Sequence, residues 1–215
     1  AYVPLDISAD FLRETALQLG SEYPWLPVNA ICADFNRDWS FLERLPSGKR
    51  VVFYPGSTIG NMAPEAALSF LHRVKRIIGE DGGLLIGVDL HKPSDRLNAA
   101  YNDASGVTAD FNLNLLTRLN RELDADFDRN AFTHKAFYNE QAQRIEMHLI
   151  SEADQRVRCN GSYIELDKGE TIHTENSYKY TIEGFSALAN SAGLTLCQSW
   201  LDPEKLFSVH YLSAA

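Results

Sequence analysis

Phosphate-binding glycine signatures are missing from this 215-residue chain: neither G-x-G-x-x-G nor G-x-x-x-x-G-K-[ST] occurs among its 13 glycines. The usual cradle for a dinucleotide or a nucleoside triphosphate is therefore not encoded in these residues. Cysteine is scarce. Cys32, Cys159 and Cys197 are odd in number, widely spaced and without metal-ligand neighbours, which speaks against a disulfide framework or a zinc module and suits idle thiols in a reducing, cytoplasmic setting. None of the six histidines (His72, His91, His134, His148, His173, His210) forms an H-x-x-x-H or H-E-x-x-H pair. His134, His148 and His173 could converge only through folding, and no metal is expected. Hydrophobic runs are short of the roughly 18 residues that a membrane span needs, and no signal peptide is visible. Positive charge is in deficit: 20 Lys and Arg against 29 Asp and Glu leave a net charge of −9, which argues against nucleic-acid or anionic-membrane partners. Ser57 lies in G-S-T-I-G and not in G-x-S-x-G, so nucleophilic hydrolysis has little support.

What is present is an ordinary globular composition, 45% hydrophobic and 23% charged, enough for one core with a smaller lobe attached. The chain is organised around Val51-Val52-Phe53-Tyr54-Pro55-Gly56-Ser57-Thr58-Ile59-Gly60-Asn61. A β-favouring apolar run enters a loop with two glycines, and an apolar helical pattern begins near Ala63. Strand, loop and helix in that order make the half-unit of a parallel α/β sheet, whose ligands sit at the carboxyl ends of the strands. Gly56 and Gly60 permit close backbone approach, while Ser57, Thr58 and Asn61 offer neutral donors and acceptors. The plainer alternative is that Asn61 or a neighbour caps the helix.

Residues 1–8 read as a strand ending at Asp6, with Ser8 as N-cap of a helix carrying Phe11, Leu12, Leu17 and Leu19. Asp6 could accept the hydroxyls of a ribose or simply favour a helix entrance. Residues 28–35 read as a second strand ending in Asp34 and Phe35, able to grip an adenine or to serve as turn acid and core aromatic. Residues 49–54 form a third strand and 64–78 an amphipathic helix through Ala67, Leu68, Leu71, Val74 and Ile78. Residues 84–90 are a continuous apolar strand. This is β-α-β-α-β-α-β, an α/β doubly wound arrangement. The pattern then changes. Residues 99–110 are polar and small, 111–123 amphipathic, and 133–138, 143–151, 155–166 and 170–174 alternate as strands. An inserted antiparallel lobe accounts for them, with 175–177 as a strand-to-loop segment. A helix over 181–192 ends at Gly193, and 194–200 with 207–212 close the fold. We expect residues 1–92 and 181–215 to form one α/β domain and 93–180 the inserted lobe. A start on Ala1 without Met suggests a fragment.

The runs Phe53-Tyr54-Pro55-Gly56-Ser57-Thr58-Ile59-Gly60-Asn61, Gly87-Val88-Asp89-Leu90-His91-Lys92, Ala100-Tyr101-Asn102-Asp103, Gly106-Val107-Thr108-Ala109-Asp110-Phe111-Asn112, Arg144-Ile145-Glu146-Met147-His148-Leu149 and Thr174-Glu175-Asn176-Ser177-Tyr178-Lys179-Tyr180 closely resemble the L-histidine Nα-methyltransferase family of ergothioneine biosynthesis. The resemblance covers the whole chain in order. It implies a Rossmann-like class I methyltransferase sheet with an inserted antiparallel α+β lobe, S-adenosylmethionine (SAM) as cofactor, and L-histidine as substrate, trimethylated to hercynine. It implies that Asp6 binds the ribose, Asp34 and Phe35 hold the adenine, and Gly56 lies beside the methyl-transfer point. Asn61 and Tyr101 would hold the substrate carboxylate and, with Gly56, form the catalytic set. Glu175 and Ser177 would hold the imidazole, with Met147 and Thr108 lining the side-chain pocket. A related fungal branch methylates a prenylated tryptophan, so another aromatic amino acid is an alternative, as is a non-catalytic amino-acid-binding or assembly fragment. The family's glycine-rich loop, first strand and N-terminal helical segment would precede Ala1. That strand would lie between the Asp6 and Val51 strands, so we expect a partner segment, a second copy or a rearranged sheet there.

Overall fold

The computed structural model describes residues 1–34 and 40–215. The first half runs β1 (Leu5–Asp6), α1 (Ala9–Glu22), β2 (Ile31–Cys32), β3 (Val51–Tyr54), α2 (Pro64–Ile78), β4 (Gly83–Asp89), α3 (Ser94–Tyr101) and α4 (Val107–Glu122). The second half runs β5 (Phe132–Asn139), β6 (Arg144–Ser151), β7 (Gln155–Cys159), β8 (Ser162–Leu166), β9 (Thr171–Tyr178), α5 (Ile182–Ser191), β10 (Leu194–Leu201) and β11 (Phe207–Ala214). The main sheet has the order β10-β11-β4-β3. β3 and β4 are parallel, whereas β11 lies antiparallel to both β4 and β10. β4 is apolar almost throughout because it sits second from the edge, beneath α2 and α5. Ala67, Leu71, Val74 and Ile78 of α2 meet Leu84, Ile86, Phe185, Leu194 and Leu212 in one core, as a 3.6-residue period facing a covered sheet requires. Gly87 is needed for close approach: a Cβ there would stand 1.9 Å from the Pro55 carbonyl oxygen.

The inserted segment makes a second sheet, β5-β6-β9. Ile145, Met147 and Leu149 alternate on one face of β6, and helices cover that face from both ends. Leu97 of α3 packs on Ala136, Ile145 and Met147, while Leu116 of α4 packs on Phe132 and Leu149. The lobe leaves and rejoins the main sheet at one place. The Tyr180 N–H donates to the Asp89 carbonyl at 3.1 Å and the His91 N–H to the Tyr180 carbonyl at 3.0 Å, a parallel bridge between residues 90 and 180.

Three expectations are corrected and one is completed. Residues 99–110, read only as polar and small, hold the end of α3 and the start of α4, and α3 forms because its support is tertiary. Asn98 accepts from the Tyr138 N–H at 2.7 Å, and Asn102 exchanges bonds with both backbone groups of Ala136. Residues 155–166 are a hairpin and not one strand: Asn160 and Gly161 both take positive φ, the two-residue turn such a dipeptide favours. The strand expected at 170–174 continues to Tyr178, since β6 pairs with it that far. No side chain caps α2, which begins on Pro64. A 3₁₀ turn over Thr58–Asn61 precedes it.

The parallel sheet does not run unbroken. β1 pairs with β2 alone, and its ladder shares no hydrogen bond with β3 among the described residues. A cavity of about 570 Å³ separates them, lined by residues 1–6 on one side and Val51, Val52, Phe53 and Tyr54 on the other. This is where the resemblance places an absent strand. The sheet has not rearranged to fill the gap.

Candidate active site

A cavity of about 350 Å³ opens at the carboxyl ends of β3 and β4, where the lobe meets the main sheet. Gly56, Ser57, Thr58 and Asn61 form one wall, Tyr101 a second, Ser177 and Lys179 a third, with Asp89 and Phe207 at the base. The first wall depends on backbone geometry. Ser57 takes φ 55°, unusual for a residue with a side chain, and its hydroxyl accepts the Asp89 N–H at 2.8 Å. Gly60 lets this wall press on β9, since a Cβ there would meet the Tyr178 carbonyl oxygen at 2.9 Å. Tyr101 is placed by the end of α3. His134 holds that end: Asn112 Nδ2 donates to its Nδ1 at 2.9 Å, so its Nε2–H donates to the Tyr101 carbonyl at 2.9 Å.

Lys179 organises the interior. Its side chain is 1% exposed. The ammonium donates to Asp89 Oδ2 at 2.7 Å, to Ser177 Oγ at 2.8 Å and to the Tyr101 hydroxyl at 3.1 Å. The Tyr101 hydroxyl in turn donates to Ser177 Oγ at 3.0 Å, and Lys92 pairs with the other oxygen of Asp89. A buried ammonium with three partners is a satisfied charge. Glu175, Ser177 and Lys179 follow one another with the period of two that keeps side chains on one strand face. Burial pushes the Glu175 carboxyl above its ordinary value, against an opposing pull from Lys179. Burial and then the Lys179 charge lower His91.

Of the residues named from sequence, Gly56, Asn61, Tyr101 and Ser177 are brought together. Glu175 and Met147 are not among the residues lining the cavity: Glu175 lies two residues from Ser177 on β9, and its cross-strand neighbour is Met147, which packs with Tyr101. Thr108 does not line the cavity; its N–H caps α4 through Asp103 at 2.8 Å. Asp6 sits at the end of β1, on the 570 Å³ cavity. Asp34 lies just beyond β2, and Phe35 lies outside the described residues. Sequence reasoning missed Lys179 and Asp89. Each stood inside a quoted run, and an alternating E-x-S-x-K would have put Lys179 on the Ser177 face had the strand been extended to 178.

His148 and His173 do converge, with Glu146, such that one ligand atom from each lies within 4.8 Å of the others. The two imidazoles stack at 4.5 Å and 15°, continued by Phe137 over His148, so their in-plane lone pairs run side by side and do not aim at one point. Glu146 is held by Arg144 and Asn139 on one oxygen and His148 on the other. His134 lies on the opposite face, against the helices. No helix of the described residues is long and apolar enough to cross a membrane.

Comparison with known proteins supplies the context for this geometry. A model of the histidine-specific, SAM-dependent methyltransferase family matches residues 1–214. The histidine N-alpha-methyltransferase of Mycolicibacterium smegmatis is 41% identical over 205 residues, and its Mycobacterium tuberculosis counterpart 39% over 203. Each alignment covers 94% of this chain and 63% of the relative, so the chain spans less than two thirds of the length of these proteins. Among solved structures, a SAM-dependent methyltransferase from Clostridium acetobutylicum superposes with a TM-score of 0.52 at 10% identity, covering 99% of this chain and 74% of that one. That likeness establishes a class I methyltransferase fold. The match along the full chain, together with two relatives near 40% identity, establishes the rest: this chain belongs to the histidine-specific, SAM-dependent methyltransferase family.

Proposed function

We propose that the protein carrying this chain methylates the α-amine of L-histidine with SAM, through three rounds, to give hercynine for ergothioneine synthesis. One observation carries the reading: Asn61, Tyr101 and Ser177 share a single cavity at the ends of β3 and β4, in a chain of this family. Asn61 and Tyr101 anchor the carboxylate. Glu175 accepts the imidazole N–H, and Ser177 meets the other ring nitrogen, with Met147 beneath. Neutral and charged hydrogen bonds of this kind contribute about 1–3 kcal/mol each. A side chain lacking the ring N–H leaves Glu175 buried and unpaired, which is a strong ground for rejection.

Two features of the structure suit SAM. Asp6 uses one carboxylate oxygen to accept the Ser8 N–H at 2.7 Å, and the other has no partner among the described residues, leaving it for ribose hydroxyls. Gly56 stands at the carboxyl end of β3 with only Thr58 near its missing Cβ, so its backbone can be approached closely. Asp34 and Phe35 would hold the adenine. When bound, SAM supplies an electrophilic methyl group on a sulfonium. The chain's part would be alignment: with Asn61 and Tyr101 on the head and Glu175 and Ser177 on the ring, the amine, its proton given up to water, would be held in line with the sulfur–methyl bond. Anchoring head and ring leaves the nitrogen able to rotate and gain bulk between rounds. In the intact protein, the 570 Å³ cavity between β1 and β3 receives one further strand, from the same chain or a second copy.

The test is an assay of the intact protein with SAM and histidine or tryptophan, read by mass spectrometry. Mono-, di- and trimethylated histidine is the expected result. Turnover of tryptophan but not histidine would overturn the substrate assignment, and turnover of neither would favour a binding or assembly role.

A further inference from the structure

The cavity contains a buried cation that the proposed reaction has so far not used. We infer that Lys179 is a positioning residue for that reaction: it commits the Tyr101 and Ser177 hydroxyls to donating toward the bound amino acid, and it keeps Asp89 from pairing with the amino acid's α-ammonium. The inference rests on the reading of this cavity as the amino-acid site.

The first role follows from counting protons and lone pairs. An ammonium has three N–H groups and no acceptor, and all three have partners here: Asp89 Oδ2, Ser177 Oγ and the Tyr101 hydroxyl. Ser177 Oγ also receives the Tyr101 proton, which fills both its lone pairs. Its own proton therefore points to an acceptor elsewhere. The unprotonated nitrogen of a neutral imidazole is such an acceptor, whereas an imidazolium or an indole ring offers none. Once a carboxylate is bound, Tyr101 turns that same proton to it; Ser177 Oγ then has one lone pair held by Lys179, and its own proton stays available to the bare ring nitrogen. Glu175 on the same strand face takes the imidazole N–H. Ser177 and Glu175 then read opposite polarities of one ring, and Lys179, by holding one Ser177 lone pair, favours its donation.

The second role follows from charge. Asp89 is the acid that lines the cavity among the described residues, Glu175 lying beyond that lining two residues from Ser177 on β9. A carboxylate with a free oxygen there would attract the substrate ammonium, raise its proton affinity and hold it in one orientation. Each would slow an alkylation that must occur at a neutral, rotating nitrogen. Lys92 occupies one oxygen and Lys179 the other, so the acid is neutralised from both sides. Its backbone is fixed as well, since its N–H donates to Ser57.

The two roles separate in steady-state kinetics on the intact protein. Lys179→Met is expected to raise KM for histidine about 10- to 100-fold and to shift product from trimethylated toward mono- and dimethylated histidine. Because that variant strands one oxygen of Asp89, Asp89→Asn combined with Lys179→Met provides a variant free of the stranded carboxylate. It is expected to recover the trimethylated product while KM stays raised. A double variant with wild-type KM would overturn the hydroxyl role, and one still stalled at monomethylation would overturn the charge role. Unchanged KM and product pattern in Lys179→Met refutes the inference alone, whereas wild-type protein that does not methylate histidine refutes the underlying reading and this inference with it.

Discussion

Glu146 and Glu175 sit on neighbouring strands of one sheet, yet their carboxyl groups are driven in opposite directions. Burial alone would raise Glu146, but the Arg144 guanidinium, then His148 and Asn139, outweigh it and hold the group at about 2. The unfolded chain therefore takes up a proton at this position before the folded one does. The pairing contributes fully above the ordinary carboxylate value, and the contribution is lost as pH falls from about 5 toward 2, on the order of 3 kcal/mol. Urea denaturation at a series of pH values should show this limb, and Glu146→Gln should flatten it. His210 works at higher pH. Both its ring nitrogens meet serine hydroxyls at 2.8 Å, and burial lowers its affinity for a proton. The unfolded state again protonates first, so stability declines as pH drops through the ordinary histidine range, and His210→Phe should lessen that decline. Glu175 has no comparable cation bonded to it. Its raised pKa means that histidine KM should climb as pH falls while still above the usual carboxylate range, and Glu175→Gln should raise KM roughly 10- to 100-fold and abolish that climb.

At the scale of elements, α3 is the instructive case. Its polar, small sequence carries no apolar stripe, and only Leu97 is buried. The helix is there because Asn98 and Asn102, one turn apart, bond the free edge of β5, and because that edge would otherwise present unpaired backbone groups. Periodicity cannot report such a device, which explains why this segment was illegible while α2, β4 and β6 were plain. Asn102→Ala should cost about 1–3 kcal/mol in thermal or urea unfolding and raise KM for histidine, since it loosens the helix end that carries Tyr101. The hairpin of β7 and β8 was legible in principle through its Asn-Gly turn, but alternation on both sides hid the break. Gly60 offers a second check. Gly60→Ala brings a Cβ against backbone on β9, so it should separate two walls of the cavity and reduce turnover more than it reduces the melting temperature.

The whole molecule shows where local patterns stop being informative. Strand and helix types along the main sheet could be read, yet the split between β1 and β3 followed only from the family resemblance. In the candidate site, Asn61, Tyr101 and Ser177 come from separate elements and met only on folding, so no spacing rule could unite them. Lys179 escaped because a basic residue on a presumed loop reads as solvated, while its burial depends on Asp89 across the lobe boundary. β3 presents one bare edge, and Val51 and Phe53 are 55% and 61% exposed. Amide hydrogen exchange on this 215-residue chain should find β3 far less protected than β4 and β11, which are paired on both sides. Calorimetry should find SAM affinity weaker than micromolar, because Asp6 and Asp34 belong to a two-stranded unit not laddered to the strand that carries Gly56. Near-equal protection of the three strands, or tight SAM binding, would contradict this account.

The bridge between residues 90 and 180 has an evolutionary consequence. With its two ends stitched side by side, the lobe could be cut out and its stumps joined by a short link without pulling the main sheet apart. Descendants could therefore exchange the whole cassette, and with it one side of the cavity, while leaving the α/β chassis intact. Grafting a relative's segment between Leu90 and Tyr180 should yield folded chimeras whose appetite for amino acids follows the donor.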